Sequence, residues 1–175
     1  MAGGYKNLLA GATSVDEELA ILECFLIGTT QIIVDITSRF LFEKQVFERR
    51  VKSELSADDF CEMMLNSQKA TYGDGLDERT LHQYMWAWKP HYYDARLSFY
   101  NFLYAFGLLF GTGLYAIYRE RGRSFIPEYE ELLASTGLGT AADLAAHFGI
   151  DLHKPDFWQA SLHVIQDRIE RYEQL

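Results

Sequence analysis

Apolar residues recur at helical spacing in the first part of the chain. Between residues 15 and 52, alternating steps of four and three join Leu22, Leu26, Thr29, Ile33, Ile36, Phe40, Glu43 and Phe47. This periodicity predicts one helix, or two helices broken near Gly28. Thr29 and Glu43 are polar residues on an otherwise apolar stripe. We expect each of them to turn toward a rim or a hydrogen-bond partner.

Start and stop signals divide the rest of the chain into further helices. Ser56 with Asp59 three residues later predicts an N-terminal cap, and the turn residues 73–75 predict the end of that helix. Its inward residues are expected to be Phe60, Met63 and Met64. Residues 76–90 allow about three turns of helix before Pro90 imposes a break. Further helices are predicted at 98–121, 127–135, 141–147 and from Pro155 onward.

No alternation of period two longer than four residues is present, and the three prolines all fall at predicted helix boundaries. The sequence therefore predicts an all-α fold, a multi-helix orthogonal bundle in one helical domain over residues 1–175. Several predicted helices have apolar faces with no obvious partner. We therefore expect a portion of a larger helical protein, with self-association through the uncovered faces as an alternative.

The segment from Leu97 to Tyr118 contains 22 residues without a charge, which raises the alternative of a membrane span. Its tyrosines, with Asn101 and Thr112, would be costly in hydrocarbon but can be satisfied inside a protein. A fully buried helix of a soluble protein is therefore the prediction at 98–121.

Charge and cysteine content narrow the range of partners and compartments. The net charge of −9 disfavours binding to nucleic acid or to anionic membranes. Cys24 and Cys61 form no C-x-x-C pair and are expected to be reduced core thiols. Residues 1–4 do not begin a secretory signal, so a cytoplasmic location is expected.

Candidate chemistry concentrates in residues 86–107. None of the five histidines begins an H-E-x-x-H motif, and no two histidines lie three or four residues apart, so no zinc site is predicted from this chain alone. His91 follows Pro90 in a segment rich in tyrosine. An imidazole beside phenol hydroxyls can hydrogen-bond a substrate carbonyl and the oxyanion that forms on attack. The alternative is that these residues are satisfied groups of the protein interior.

The same segment resembles the C-terminal part of oligoendopeptidase F and its relatives, the thimet oligopeptidase-like zinc metallopeptidases. It contains W-x-x-H-Y-Y at 88–93, one residue shorter than the family's W-x-x-x-H-Y-Y, and F-Y-x-x-x-Y-A-x-G at 99–107. Further similarity covers residues 39–43, 129–137, 148–151 and the final helix with Phe157 and Trp158. The order and spacing of these motifs together carry the resemblance over nearly the whole chain.

The resemblance implies a zinc-dependent oligoendopeptidase that hydrolyses short peptides. In that family the zinc lies on H-E-x-x-H with a Glu on the following helix as third ligand, and these residues precede the region matched here. This chain would be the C-terminal portion of such an enzyme, a fragment or split product. It would bind no zinc alone, would be inactive in isolation, and would need the missing N-terminal part as its partner.

The resemblance also assigns roles to individual residues. His91 corresponds to the histidine that contacts the substrate carbonyl. Tyr100 and Tyr104 are candidates for oxyanion stabilisation, with Tyr100 preferred, and Tyr93 is a further candidate for substrate binding. The alternative reading of the whole chain is a non-catalytic helical module that binds peptides or proteins.

Overall fold

The fold is all-α over the residues that the computed structural model describes, which are 8–97 and 99–175. Within these ranges no strand is present, in agreement with the sequence prediction. Residues 1–4, assessed for a secretory signal, and Ser98, the predicted first residue of a helix, lie outside the described residues.

The helices follow one another with short connections. The main helices are α1 (Val15–Thr30), α2 (Thr37–Arg50), α3 (Ala57–Tyr72), α4 (Met85–Trp88), α5 (Phe102–Arg121), α6 (Ile126–Ala134), α7 (Ala141–His147) and α8 (Pro155–Glu173). A π-helical segment, Gln31–Ile36, joins α1 to α2, and short 3₁₀ turns lie at Glu78–Thr80, Pro90–Tyr92 and Gly122–Phe125.

The predicted caps are present. The Ser56 hydroxyl accepts a hydrogen bond from the Asp59 backbone N–H, and the Asp59 carboxylate accepts one from the Ser56 N–H. Gly73, with φ +54°, ends α3 in a conformation that residues with a Cβ rarely adopt. Thr140 caps α7 by accepting from the Asp143 N–H. Because caps depend on neighbouring residues alone, the sequence was sufficient to predict them.

The first helical segment runs without a break through Gly28, but its buried face differs from the predicted one. Phe40 and Phe47 were expected to face inward and are 39% and 58% exposed, whereas Phe42 and Val46 are buried. Glu43, also on the predicted stripe, is 3% exposed, so the buried face of α2 overlaps the predicted one. It is displaced toward Phe42 and Val46, which pack against the methionines of α3.

Three other expectations were wrong. Residues 76–90 form only a 3₁₀ turn and the single turn α4, not three turns of helix. The helix predicted at 98–121 begins at Phe102 and is not fully buried, because its first turn is open to solvent. Cys24 is an exposed free thiol and not a core residue, while Cys61 is partly buried and free.

The chain divides into two compact units, each with its own core. The central unit is Ile27–Phe106, and the terminal unit combines residues 8–26 with Gly107–Leu175. In the central unit, Phe42 and Val46 of α2 pack against Met63 and Met64 of α3, with both methionines fully buried. In the terminal unit the buried core is formed by Leu114, Phe125, Leu132, Ala145 and Ile150.

One helical stretch in the described residues, Val15–Arg50, is long and apolar enough to cross a membrane by length and composition. Core helices of soluble proteins and N-terminal signal sequences satisfy the same criterion. This candidate span differs from the uncharged segment 97–118 that raises the membrane alternative in the sequence, and the location of the protein stays a prediction.

Candidate functional site

The central unit brings three of the predicted site residues together. His91 lies in the 3₁₀ turn that Pro90 begins, and its Nε2 lies 3.4 Å from the Tyr104 hydroxyl oxygen, near the outer limit of a hydrogen bond. The Tyr100 and Tyr104 rings meet edge to face, with centroids 5.6 Å apart. The His91 ring lies 6.3 Å from the Tyr100 ring and 6.2 Å from the Tyr104 ring. We call these three residues the ring cluster.

The ring cluster is accessible from solvent. Tyr100 and Tyr104 are 37% and 36% exposed, and the His91 side chain is partly buried. Tyr104 lies in the first turn of α5, and the ring of Tyr100, two residues before that helix begins, meets the Tyr104 ring edge to face. A solute reaching this surface meets an imidazole and two hydroxyl groups.

Tyr93 lies apart from the ring cluster. Its side chain is 63% exposed, and among the described residues no hydrogen bond or ring contact joins it to His91. Its predicted role in substrate binding therefore stays a prediction that the geometry of the ring cluster does not support.

The surroundings of His91 favour the neutral imidazole. Burial lowers the pKa of His91 below its ordinary value of 6.5, and the positive charges of Arg39 and Lys89 lower it further. Its Nδ1 is buried without a hydrogen-bond partner. A neutral imidazole retains one N–H donor and one acceptor, so His91 can donate a hydrogen bond without carrying a charge.

A layer of buried and partly buried polar residues lies close to His91 and Tyr92. Asp35 in the π-helical segment pairs with Arg39 one turn later and accepts a hydrogen bond of 3.0 Å from the Tyr72 hydroxyl. Burial and the Asp35 carboxylate raise the pKa of Tyr72 to about 12. Burial, with a smaller effect of Glu43, also raises the pKa of Tyr92.

Glu43 and Asn101 complete this layer. The Asn101 Nδ2 donates a 2.5 Å hydrogen bond to Glu43 Oε1, and the two residues are 1% and 3% exposed respectively. Burial raises the pKa of Glu43, and the hydrogen bonds from Asn101 oppose that rise. Glu43 thus has the hydrogen-bond partner expected for a polar residue on an apolar stripe.

The sequence pattern did not identify this layer as part of a site. The usable signal was Glu43 itself, a carboxylate at a position where the pattern demanded an apolar residue. Asn101 gave no such signal, because a single asparagine beside tyrosines is compatible with a surface turn. Its partner lies 58 residues earlier, a separation that no local pattern encodes.

The described residues contain no group of three or more His, Cys, Asp or Glu side chains that could hold a metal ion. The zinc implied by the resemblance therefore has no ligand set in this part of the chain. No family model, no curated protein and no solved structure matches the sequence. The resemblance to oligoendopeptidase F accordingly stays a prediction that rests on the motifs themselves.

Proposed function

We propose that this chain is the C-terminal, substrate-contacting portion of an oligoendopeptidase F-like zinc peptidase that hydrolyses short peptides in the cytoplasm. The observation that carries the proposal is the ring cluster. The three residues that correspond to the family motif, His91, Tyr100 and Tyr104, lie within one group of ring contacts although 13 residues separate the first from the last.

The ring cluster suits the recognition of a peptide carbonyl group. When a nucleophile adds to the carbonyl carbon, the carbonyl oxygen gains negative charge, and donors that are already in place stabilise it. Tyr100 supplies the hydroxyl that we assign to this oxyanion, and the neutral His91 imidazole supplies a hydrogen bond to the carbonyl region. The Tyr104 hydroxyl lies next to His91 Nε2 and is the second candidate donor.

The remaining parts of the reaction belong to another part of the enzyme in this proposal. Zinc supplies the activation of the attacking water in peptidases with H-E-x-x-H. We place that motif on the missing N-terminal part, and this chain then forms one wall of the peptide cleft. The 175-residue chain alone is expected to hydrolyse no peptide.

Substitution of the ring cluster in the complete zinc-bearing enzyme tests the assigned roles. Tyr100→Phe and His91→Ala should each lower kcat/KM for a quenched fluorescent peptide by about 10²- to 10³-fold, the usual effect of removing one oxyanion donor. Zinc content should not change, because neither residue is a ligand. Tyr129→Phe removes a hydroxyl from a partly exposed tyrosine of the terminal unit and serves as the matched control.

Two results would count against these roles. Turnover within a factor of about three of wild type in both variants would remove the ring cluster from the reaction, since one lost donor normally costs far more. Peptide binding at the ring cluster with no hydrolysis in any zinc-loaded form would favour the alternative, a non-catalytic helical module that binds peptides.

A further inference from the structure

The buried pair Glu43–Asn101 has no part in the hydrogen bonding proposed for the substrate. Both side chains are almost completely removed from solvent, and the Asn101 Oδ1 has no hydrogen-bond partner. Burying a carboxyl and an amide costs free energy that an apolar pair of similar volume would not require. Such a pair can instead serve to fix one arrangement of the chain segments that it joins, here α2 and the start of α5.

Asn101 directly follows Tyr100, so its hydrogen bond fixes the backbone on one side of that tyrosine. Phe99 fixes it on the other side. The Phe99 N–H donates a 3.0 Å hydrogen bond to the His91 carbonyl oxygen, and the Phe99 ring contacts the rings of Phe47 and Tyr92, at centroid distances of 4.8 and 5.6 Å.

The conformation of Phe99 shows that this segment is held by its surroundings. Its φ of +56° lies in the left-handed region, and Phe99 is the one described residue other than glycine with a positive φ. Such a conformation is disfavoured for a residue with a Cβ and persists only where neighbouring contacts impose it. Tyr100 therefore projects its partly exposed ring from a backbone that is fixed at both neighbouring residues.

We infer that Glu43 and Asn101 are positioning residues whose hydrogen bond sets the backbone beside Tyr100 and, through the Phe99–His91 backbone hydrogen bond, holds the His91 imidazole against the tyrosine rings. Neither residue touches substrate in this arrangement. The inference deepens the proposed function, and only its kinetic consequences rest on that function. The predicted effect on the arrangement of the ring cluster does not depend on the proposed function.

Two substitutions of Glu43 separate the hydrogen bond from the charge. In Glu43→Gln the amide oxygen still accepts from Asn101 Nδ2, so the positioning should survive. In Glu43→Leu the side chain has similar volume, but Asn101 loses its acceptor. Removing one partner of a buried hydrogen-bonded pair leaves the other unsatisfied and destabilises the protein, so the folding of this variant has to be verified. Asn101→Ala removes the donor from the other side and gives a second, independent variant.

The test is nuclear Overhauser contact between the His91 and Tyr104 ring protons in the isotope-labelled 175-residue protein. We expect the contact in wild type and Glu43→Gln, and its loss in Glu43→Leu and Asn101→Ala. Far-UV circular dichroism must show that each variant is folded. If the contact persists in either folded variant that lacks the hydrogen bond, Glu43 and Asn101 stabilise the fold without positioning the ring cluster, and the inference is wrong.

The titration of His91 gives a second readout on the same samples. Arg39 from α2 and Lys89 from its own turn are the charged groups whose influence lowers the His91 pKa, together with burial. Release of the ring toward solvent should raise that pKa toward its ordinary value in Glu43→Leu and not in Glu43→Gln. Glu48→Gln, at an exposed position of α2, controls for removal of a surface carboxylate.

Kinetics in the complete zinc-bearing enzyme form the last part of the test. A displacement of about 1 Å can cost roughly 10²-fold in rate, so Glu43→Leu should lower kcat by that order with little change in KM. If Glu43→Leu loses the ring contact but the wild-type enzyme hydrolyses no peptide, the proposed function is wrong and the positioning role stands. Persistence of the ring contact would overturn the positioning whatever the enzyme does.

Discussion

Gly113 is the position in α5 where a methyl group has no room. The Cβ of an alanine there would lie 2.4 Å from Phe157 Cζ, 2.6 Å from Phe157 Cε2 and 2.7 Å from Ser161 Oγ. The Phe157 ring is itself packed against Phe110 and Trp158, and Ser161 is fully buried. Because neither neighbour can move freely, Gly113→Ala should force α5 and α8 apart or push side chains from their preferred rotamers.

The expected loss of stability follows from three contributions. Overpacking a core typically costs about 1–3 kcal/mol. The Ser161 hydroxyl donates a 2.7 Å hydrogen bond to the Leu109 carbonyl, and its loss costs about 1 kcal/mol. The higher helix propensity of alanine returns about 1 kcal/mol. The lost hydrogen bond and the gained helix propensity cancel. Gly113→Ala should therefore lower the free energy of unfolding by about 1–3 kcal/mol, the cost of overpacking.

Gly107 and Gly111 are matched controls on the same helix. A Cβ at either position would meet nothing within 4 Å, and both residues are exposed. Gly107→Ala and Gly111→Ala should therefore raise the free energy of unfolding by about 0.5–1 kcal/mol through helix propensity alone. Urea unfolding followed by circular dichroism measures all three. If Gly113→Ala is as stable as wild type or more stable, the close approach of α5 and α8 is wrong.

Other changes test the central unit. Tyr72→Phe removes the hydroxyl that donates to Asp35 and should cost about 1.5–3 kcal/mol in urea unfolding, with Tyr129→Phe as the control. Because the pKa of Tyr72 is raised from 10.0 to about 12, the folded state keeps a proton that the unfolded state loses. Wild type should therefore lose up to roughly 2–3 kcal/mol as pH rises from 10 toward 12, and Tyr72→Phe should lack this loss. Met64→Ala should cost about 2–5 kcal/mol, because Met64 is fully buried; a smaller loss would contradict that burial. The pKa of His91 is lowered, so the unfolded state binds its proton first and stability should fall as pH drops below 6.5. A His91→Gln variant should show a shallower fall in thermal melts, and an unchanged slope would refute the assignment.

The ends of the helices could be predicted from sequence because their determinants are local. Ser56 and Asp59 satisfy the free backbone groups of α3 by themselves, and Gly73 supplies the backbone conformation that ends it. Pro90 likewise broke the helical pattern at Lys89, whose ψ of 121° is extended. These features need no knowledge of the tertiary structure.

The buried face of α2 could not be predicted in the same way. A helical stripe does not show which side of it a neighbouring helix will cover, and in this fold α3 packs on Phe42 and Val46. Phe47 contacts Phe99 instead, and Arg39 is 8% exposed.

The candidate site also contains residues that could be proposed from the sequence and residues that could not. His91, Tyr100 and Tyr104 could be proposed from sequence because imidazole and phenol groups suit hydrogen bonding to a carbonyl, and because the segment resembles a motif of oligoendopeptidase F. The residues that position these three side chains could not be identified from the sequence. Glu43 of α2 is the hydrogen-bond partner of Asn101, the residue before α5, and the ring of Phe99 packs on that of Phe47, which lies much earlier in the sequence.

The measurement that tests the central claim most directly is zinc content combined with quenched-peptide hydrolysis. It should be made on this chain and on the same chain joined to the N-terminal part that we propose to carry H-E-x-x-H. The account predicts stoichiometric zinc and turnover only in the joined form, with turnover that depends on Tyr100. Hydrolysis by the 175-residue chain alone, or neither zinc nor turnover in the joined form, would contradict the account.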